Sequence, residues 1–246
     1  VGKATEYLER AFTFSDEIEF TEDKIRAHFE NGAYFTEAEK NDRAIDSFKK
    51  ASKEIEGLEG VQKDNLFGTV AVGFLKAGDV DLADRNLDAV TDKTQMANCL
   101  VGFSQIFEKE DDREEALETL EESYAILKSE KESEIRDSKS RYQLFATIAI
   151  QFAKLEKIER ALEIAHENPV ELQKNSALTN IAQVCILQGN DEMTDQAFKG
   201  IESDTQKLAA LIAMSDAQKQ VEKPDEAVGL LNEAITLTDS IPQFIA

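Results

Sequence analysis

Along the chain, apolar residues recur three, four and seven apart, the signature of amphipathic helices that bury one stripe. Large apolar positions such as Phe67, Leu100, Phe145, Leu178 and Leu211 are each followed four residues later by a small one: Ala71, Ser104, Ala149, Ala182 and Ser215. After a polar or glycine-bearing break the stripe resumes on a second helix. Four of these breaks carry their own punctuation. Gly78 and Gly189 suit the left-handed conformation that ends a helix, Asp111 and Asn190 suit the cap of the helix that follows, and Pro224 suits a first turn.

The pattern repeats. Small residues opening each second helix, Ala44, Ala83, Ala116, Ala161 and Ala227, serve as anchors. The interval from 83 to 116 is 33 residues and that from 161 to 227 is 66, which places a further equivalent at Thr194. Intervals of 39 and 45 imply insertions of 6 and 12 residues. Positions not used to set this register obey it. Four residues beyond the anchors lie Phe48, Leu87, Leu120, Ala165, Phe198 and Leu231. Twelve before them every residue is small, and sixteen before every residue is large, His28 included. Nine before lie Phe35, Phe74, Phe107, Phe152, Cys185 and Gln218. The small column lets paired helices cross closely, and pairs this short must stack to bury their stripes. Helix pairs are expected at about 25–56, 64–91, 97–128, 137–167, 172–203 and 206–238.

A large, a small and an aromatic position on one helix, then a turn, an alanine and a bulky residue four later, resemble the tetratricopeptide repeat. The resemblance covers roughly residues 25–240 in six repeats. Ala4, Leu8 and Ala11 match the end of a preceding second helix, so residues 1–24 are expected to be a partial repeat and linker. The solenoid is expected over 25–241, with insertions near 59–63 and 130–141 and a tail at 242–246. His28, Gln218 and Thr194 depart from the family's usual residues. The resemblance implies an all-α, right-handed superhelix whose concave groove engages a protein or peptide.

Composition narrows the function. With 50 acidic and 28 basic side chains the formal charge is −22, a field that repels phosphate backbones and anionic lipid. Nucleic acid and membrane are therefore not expected as partners, and no run reaches the length of a bilayer span. Cys99 and Cys185 both lie in apolar stretches and read as core residues, which favours a reducing, cytoplasmic setting.

Reactive chemistry is sparse. The two histidines, His28 and His166, fall in different repeats, and neither has a metal-binding spacing. No phosphate-cradling glycine loop or paired-cysteine motif occurs. Asp79, Asp81 and Asp84 resemble a calcium loop superficially, but the glycine of the sharp turn is absent. The cluster from Glu108 to Glu115 reads as a solvated helix start. The expectation is a non-enzymatic protein without cofactor or metal.

The family resemblance also implies which residues face the groove: those just after each large residue, those four further on, and those three earlier. Of these eighteen positions only Arg26 and Asp216 are charged. The expected peptide-binding set is Asn65, Gly68, Val72, Asn98, Val101, Gln105, Gln143, Ala146, Ile150, Thr179 and Gln183. Its amides can pair with an extended backbone, its small residues admit one, and its apolar members add selectivity. The alternative is that these residues pack between helices. A second functional class is self-assembly, through the ends or through a charged protrusion at 128–141.

The register makes a prediction of its own. Ala116→Phe overpacks a helix crossing and lowers stability by about 1–3 kcal/mol, whereas Gln105→Ala stays within about 0.5 kcal/mol. Chemical denaturation measures both, and equal losses contradict the assigned faces.

Overall fold

The computed structural model describes residues 2–129 and 137–240, and these are all-α with no strand. Thirteen helices are present among the described residues: α1 (Gly2–Ser15), α2 (Thr21–Glu37), α3 (Asn41–Ile55), α4 (Val61–Lys76), α5 (Val80–Asp88), α6 (Lys93–Lys109), α7 (Arg113–Ser129), α8 (Ser138–Lys154), α9 (Ile158–Glu167), α10 (Glu171–Gln188), α11 (Asp191–Lys199), α12 (Asp204–Gln220) and α13 (Pro224–Ser240). The chain divides into two compact units, residues 1–130 and 131–246, each a short stack of helix pairs. The expected pairs are present as α2–α3, α4–α5, α6–α7, α8–α9, α10–α11 and α12–α13. Residues 130–136 of the expected protrusion, and the whole of the expected tail at 242–246, lie outside the described residues.

One turn is built six times. Five residues before every anchor the backbone enters the left-handed region: Glu39 (φ 55°), Gly78 (85°), Asp111 (63°), Glu156 (58°), Gly189 (73°) and Glu222 (60°). The next amide, of Lys40, Asp79, Asp112, Lys157, Asn190 or Lys223, donates back to the carbonyl of Phe35, Phe74, Phe107, Phe152, Cys185 or Gln218 at 2.8–3.0 Å. That bond closes a Schellman cap on the first helix. The carbonyl of the same residue accepts from the anchor amide, starting the second helix. Where this residue is Asp79, Asp112 or Asn190, its side chain also accepts from the amide three residues on. The cap of α7 is therefore Asp112, and Asp111, expected to be the cap, holds the left-handed position instead. Asp79 is likewise a helix cap of α5.

The crossings are as close as the small columns require. All six residues twelve before the anchors are buried, as are all six large residues sixteen before them. Ser104 Oγ donates to the carbonyl of the anchor Ala116 at 2.8 Å, and Ser123 Oγ donates to that of Ala97 at 2.8 Å. In the first unit the Phe48 ring fills the space between α2 and α4, its centroid 5.7 Å from those of both Phe29 and Phe74. A Cβ on Gly32 would stand 2.4 Å from that ring, and one on Gly73 2.7 Å. Burying each such aromatic contributes about 1.5–3 kcal/mol. A buried carboxylate ties neighbouring pairs together: Asp64 accepts from the Thr91 amide and hydroxyl and from the Asp92 amide, at the start of α6.

Helix α1 docks on the α2–α3 pair through a mixed aromatic and ionic contact. Phe12 is buried edge-on against Phe35, with the Arg43 guanidinium 4.2 Å and the Lys50 ammonium 3.9 Å from its ring centre. Arg43 also pairs with Glu9, and Lys50 with Asp16. His28 is 1% exposed beside Phe12, its Nε2 3.4 Å from Asp16, and no partner reaches its buried Nδ1. Burial holds the imidazole below its ordinary pKa despite the Asp16 charge.

Two predictions follow from these contacts. Glutamate in the left-handed region costs about 1–2 kcal/mol that glycine does not. Part of this gain is offset by glycine's freedom in the unfolded chain. Glu39→Gly therefore raises stability by about 0.5–1 kcal/mol, and thermal unfolding of the two proteins side by side measures it. The second concerns pH. A histidine held below its unfolded value contributes stability that is complete above pH ~6.5 and is lost as pH falls beneath it. From about pH 7.5 to about 5.5 the unfolding midpoint falls. His28→Phe removes the histidine-linked part of that fall, and an unchanged slope in the variant contradicts it.

Candidate functional site

The first helix of each pair has two faces besides its core stripe. One takes the neighbouring first helix of the same unit; the other meets solvent. The residues fifteen and eleven before the anchors fall largely on the first of these. Gly68 lies 3.7 Å, from a Cβ built on it, from the Cys99 Cβ, and the Cys99 thiol donates to the Gly68 carbonyl at 3.3 Å. Val72 lies against Gly102, with 3.0 Å between its methyl and a Cβ there. Gln183 Nε2 donates to the Ala213 carbonyl of α12 at 3.0 Å.

The expected peptide-binding residues accordingly divide. Gly68, Val101 and Ala146 are buried. Val72, Ile150, Thr179 and Gln183 are half-buried, Val72 and Gln183 at helix–helix seams, and Asn65, Asn98, Gln105 and Gln143 are exposed. Asn65, Asn98 and Gln105 stand on α4 and α6 of the first unit, while Gln143, Thr179 and Gln183 belong to α8 and α10 of the second. Cysteine contributes nothing reactive here: burial pushes the Cys99 thiol up to about 12 and the Cys185 thiol up to about 11.

The solvent-facing columns are those eighteen and fourteen before the anchors. The first, Arg26, Asn65, Asn98, Gln143, Ser176 and Ala209, is exposed throughout. The second, Glu30, Thr69, Gly102, Thr147, Asn180 and Ala213, is exposed or half-exposed throughout. From the second pair onward neither column holds a charge. Several members brace one another: the hydroxyls of Thr69 and Thr147 donate to the carbonyls of Asn65 and Gln143, and the Asn180 amide donates to that of Ser176.

In the second unit these columns line a cleft of about 520 Å³ between α10 and α12. Gln173, Ser176, Thr179, Asn180 and Gln183 form one wall, with Leu172 at its edge, and Gln206, Ala209 and Ala213 form the other. No charged side chain lines it. Leu172 is 59% exposed, and Ile212, on another face of α12 and outside the cleft lining, is 47% exposed. Ile212 occupies the column that the following first helix covers at Gly68, and no further first helix follows α12 among the described residues. The cleft thus offers amide and hydroxyl groups, with the aliphatic Leu172 side chain at its edge. Gln173, Asn180 and Gln206 were not among the expected residues; Asn180 belongs to the second uncharged column, and Gln173 and Gln206 lie three residues before the first.

No family model matches the chain, and no curated protein matches it. Solved structures share its helical arrangement at low identity. Aspartyl phosphate phosphatase F from Bacillus subtilis is 16% identical with a TM-score of 0.44, the match taking 98% of this chain and 66% of that one. PilF of Pseudomonas aeruginosa is 16% identical with a TM-score of 0.41, over 85% of this chain and 90% of that one. A Podosopora anserina protein with nearly identical TPR-like repeats is 15% identical with a TM-score of 0.40, over 92% and 100%. The chain spans 66% of the phosphatase, less than two thirds of its length. In its all-helical build of stacked helix pairs the chain resembles tetratricopeptide-like repeat proteins.

Proposed function

We propose that this chain is a non-catalytic scaffold that holds an extended segment of another protein against the uncharged face of its first helices. The supporting observation is the cleft between α10 and α12, free of charge in a chain that is 32% charged. Side-chain amides present a donor and an acceptor together, which matches the peptide group of an extended chain. A charged wall would favour one sign of ligand; this one favours backbone recognition, with an apolar side chain of the partner resting on Leu172. The same chemistry recurs in the first unit at Asn65, Asn98 and Gln105. A cytoplasmic setting belongs to this reading; no described helix is long and apolar enough to cross a membrane.

The test is selection of peptides on the full chain followed by titration against two variants. Ser176→Arg inserts a long cation into the cleft from an exposed position and leaves the core untouched. It weakens selected uncharged peptides at least about tenfold, about 1.4 kcal/mol, with helicity unchanged. Lys199→Ala, outside the cleft, leaves them bound. Peptides that bind Ser176→Arg as tightly as the parent protein defeat the proposal, as do selections that return only cationic sequences released by salt.

A further inference from the structure

Two helices at the ends of the chain present stripes that no described element covers. On α1 the inward face is Leu8, Phe12 and Ser15; the opposite face carries Lys3, Tyr7, Arg10 and Phe14, all exposed. Tyr7 is 63% and Phe14 55% exposed. On α13 the inward face is Ala227, Leu231 and Ala234; a neighbouring face carries Asp225, Val228, Asn232 and Ile235, with Val228 55% and Ile235 61% exposed. The charged residues of α13 are all acidic. Each stripe follows the alternating three-and-four spacing that seats one helix along another.

The stripes complement each other in register. Laid side by side and parallel, they set Lys3 against Asp225, Tyr7 against Val228, Arg10 against Asn232 and Phe14 against Ile235. Their lengths agree as well, about 16.5 Å for α1 and about 15 Å for α13 at 1.5 Å per residue. Cation meets acid, ring meets aliphatic side chain, and guanidinium meets an amide oxygen. The outer stripe of α1 holds two cations in a chain of net charge −22, which makes the acidic α13 an electrostatic match for it.

We propose that the chain stacks head to tail, the outer stripe of α1 in one copy seating on the Val228–Ile235 stripe of α13 in the next. Such an interface uses two different surfaces of one molecule, so it is heterologous and builds assemblies larger than a dimer as concentration rises. It is independent of the α10–α12 cleft.

Sedimentation velocity on the full chain over a concentration series tests this. The parent protein forms species beyond the dimer, their mean mass rising with concentration. Tyr7→Ser with Phe14→Ser blocks the head, and Val228→Ser with Ile235→Ser blocks the tail. All four side chains are more than half exposed, so circular dichroism stays unchanged. Each blocked protein alone sediments as a monomer. An equimolar mixture of the two gives a one-to-one dimer and nothing larger, because one free tail meets one free head. A parent protein that stays monomeric overturns the proposal. So does a dimer that saturates, which marks a symmetric contact, or a mixture that remains monomeric. A separate protein that seats on α1 in place of a second copy shows as a parent monomer and also overturns it.

Discussion

The structure depends on one repeated backbone constraint: the chain must turn left-handed five residues before each small anchor and reverse direction within two residues. Six such turns fix where each second helix begins, and hence the phase of every stripe behind it. Only two of the six carry glycine, at Gly78 and Gly189. At the others an acidic residue accepts the strain, because the back-bonded amide and the anchor amide leave the chain no other route between two packed helices. The turn is over-determined by what it joins.

Close crossing follows from that phase. With a small residue opposite the anchor, the helices of a pair approach until a serine hydroxyl reaches the facing carbonyl, as Ser104 does at Ala116. Bulk removed there is restored between neighbouring first helices. Phe48 occupies the gap that Gly32 and Gly73 leave, so neither glycine accepts a side chain without moving the ring. Polar groups do similar work at the seams: Asp64 satisfies three donors at the start of α6, and Gln183 takes a carbonyl of α12. In a low-dielectric seam such bonds specify register, since shifting the pair leaves them unmet.

Exposure at the solvent-facing columns is what remains after this packing. First helices that touch side by side hide the column fifteen before the anchor, so small residues there, Gly68 and Ala146 among them, are spacers between helices. Where the spacer is Ile212, with no further first helix beside it among the described residues, an apolar surface stays open. The amides that reach solvent lie one column away. Thus the cleft owes its uncharged character to positions excluded from the core by a single helical step.

The sequence alone determined the repeat, the pairs and the core. Those properties are set by the size and spacing of side chains along one helix, and periodicity reads both directly. Phe67, Leu100 and Leu178 at one column and Ala71, Ser104 and Ala182 at another needed no neighbour to be recognised. The uncharged chemistry of the solvent face was equally legible, in Asn65, Asn98 and Gln143. What tertiary structure decided was which of two adjacent columns a neighbouring helix covers. That choice turns on interhelical distance and crossing angle, which depend on residues thirty or more positions apart, such as Gly68 with Cys99 and Val72 with Gly102. No pattern within one helix contains that information. For the same reason Asp112, rather than Asp111, caps α7: both can cap a helix, and only the closing bond from its amide to Phe107 assigns the role.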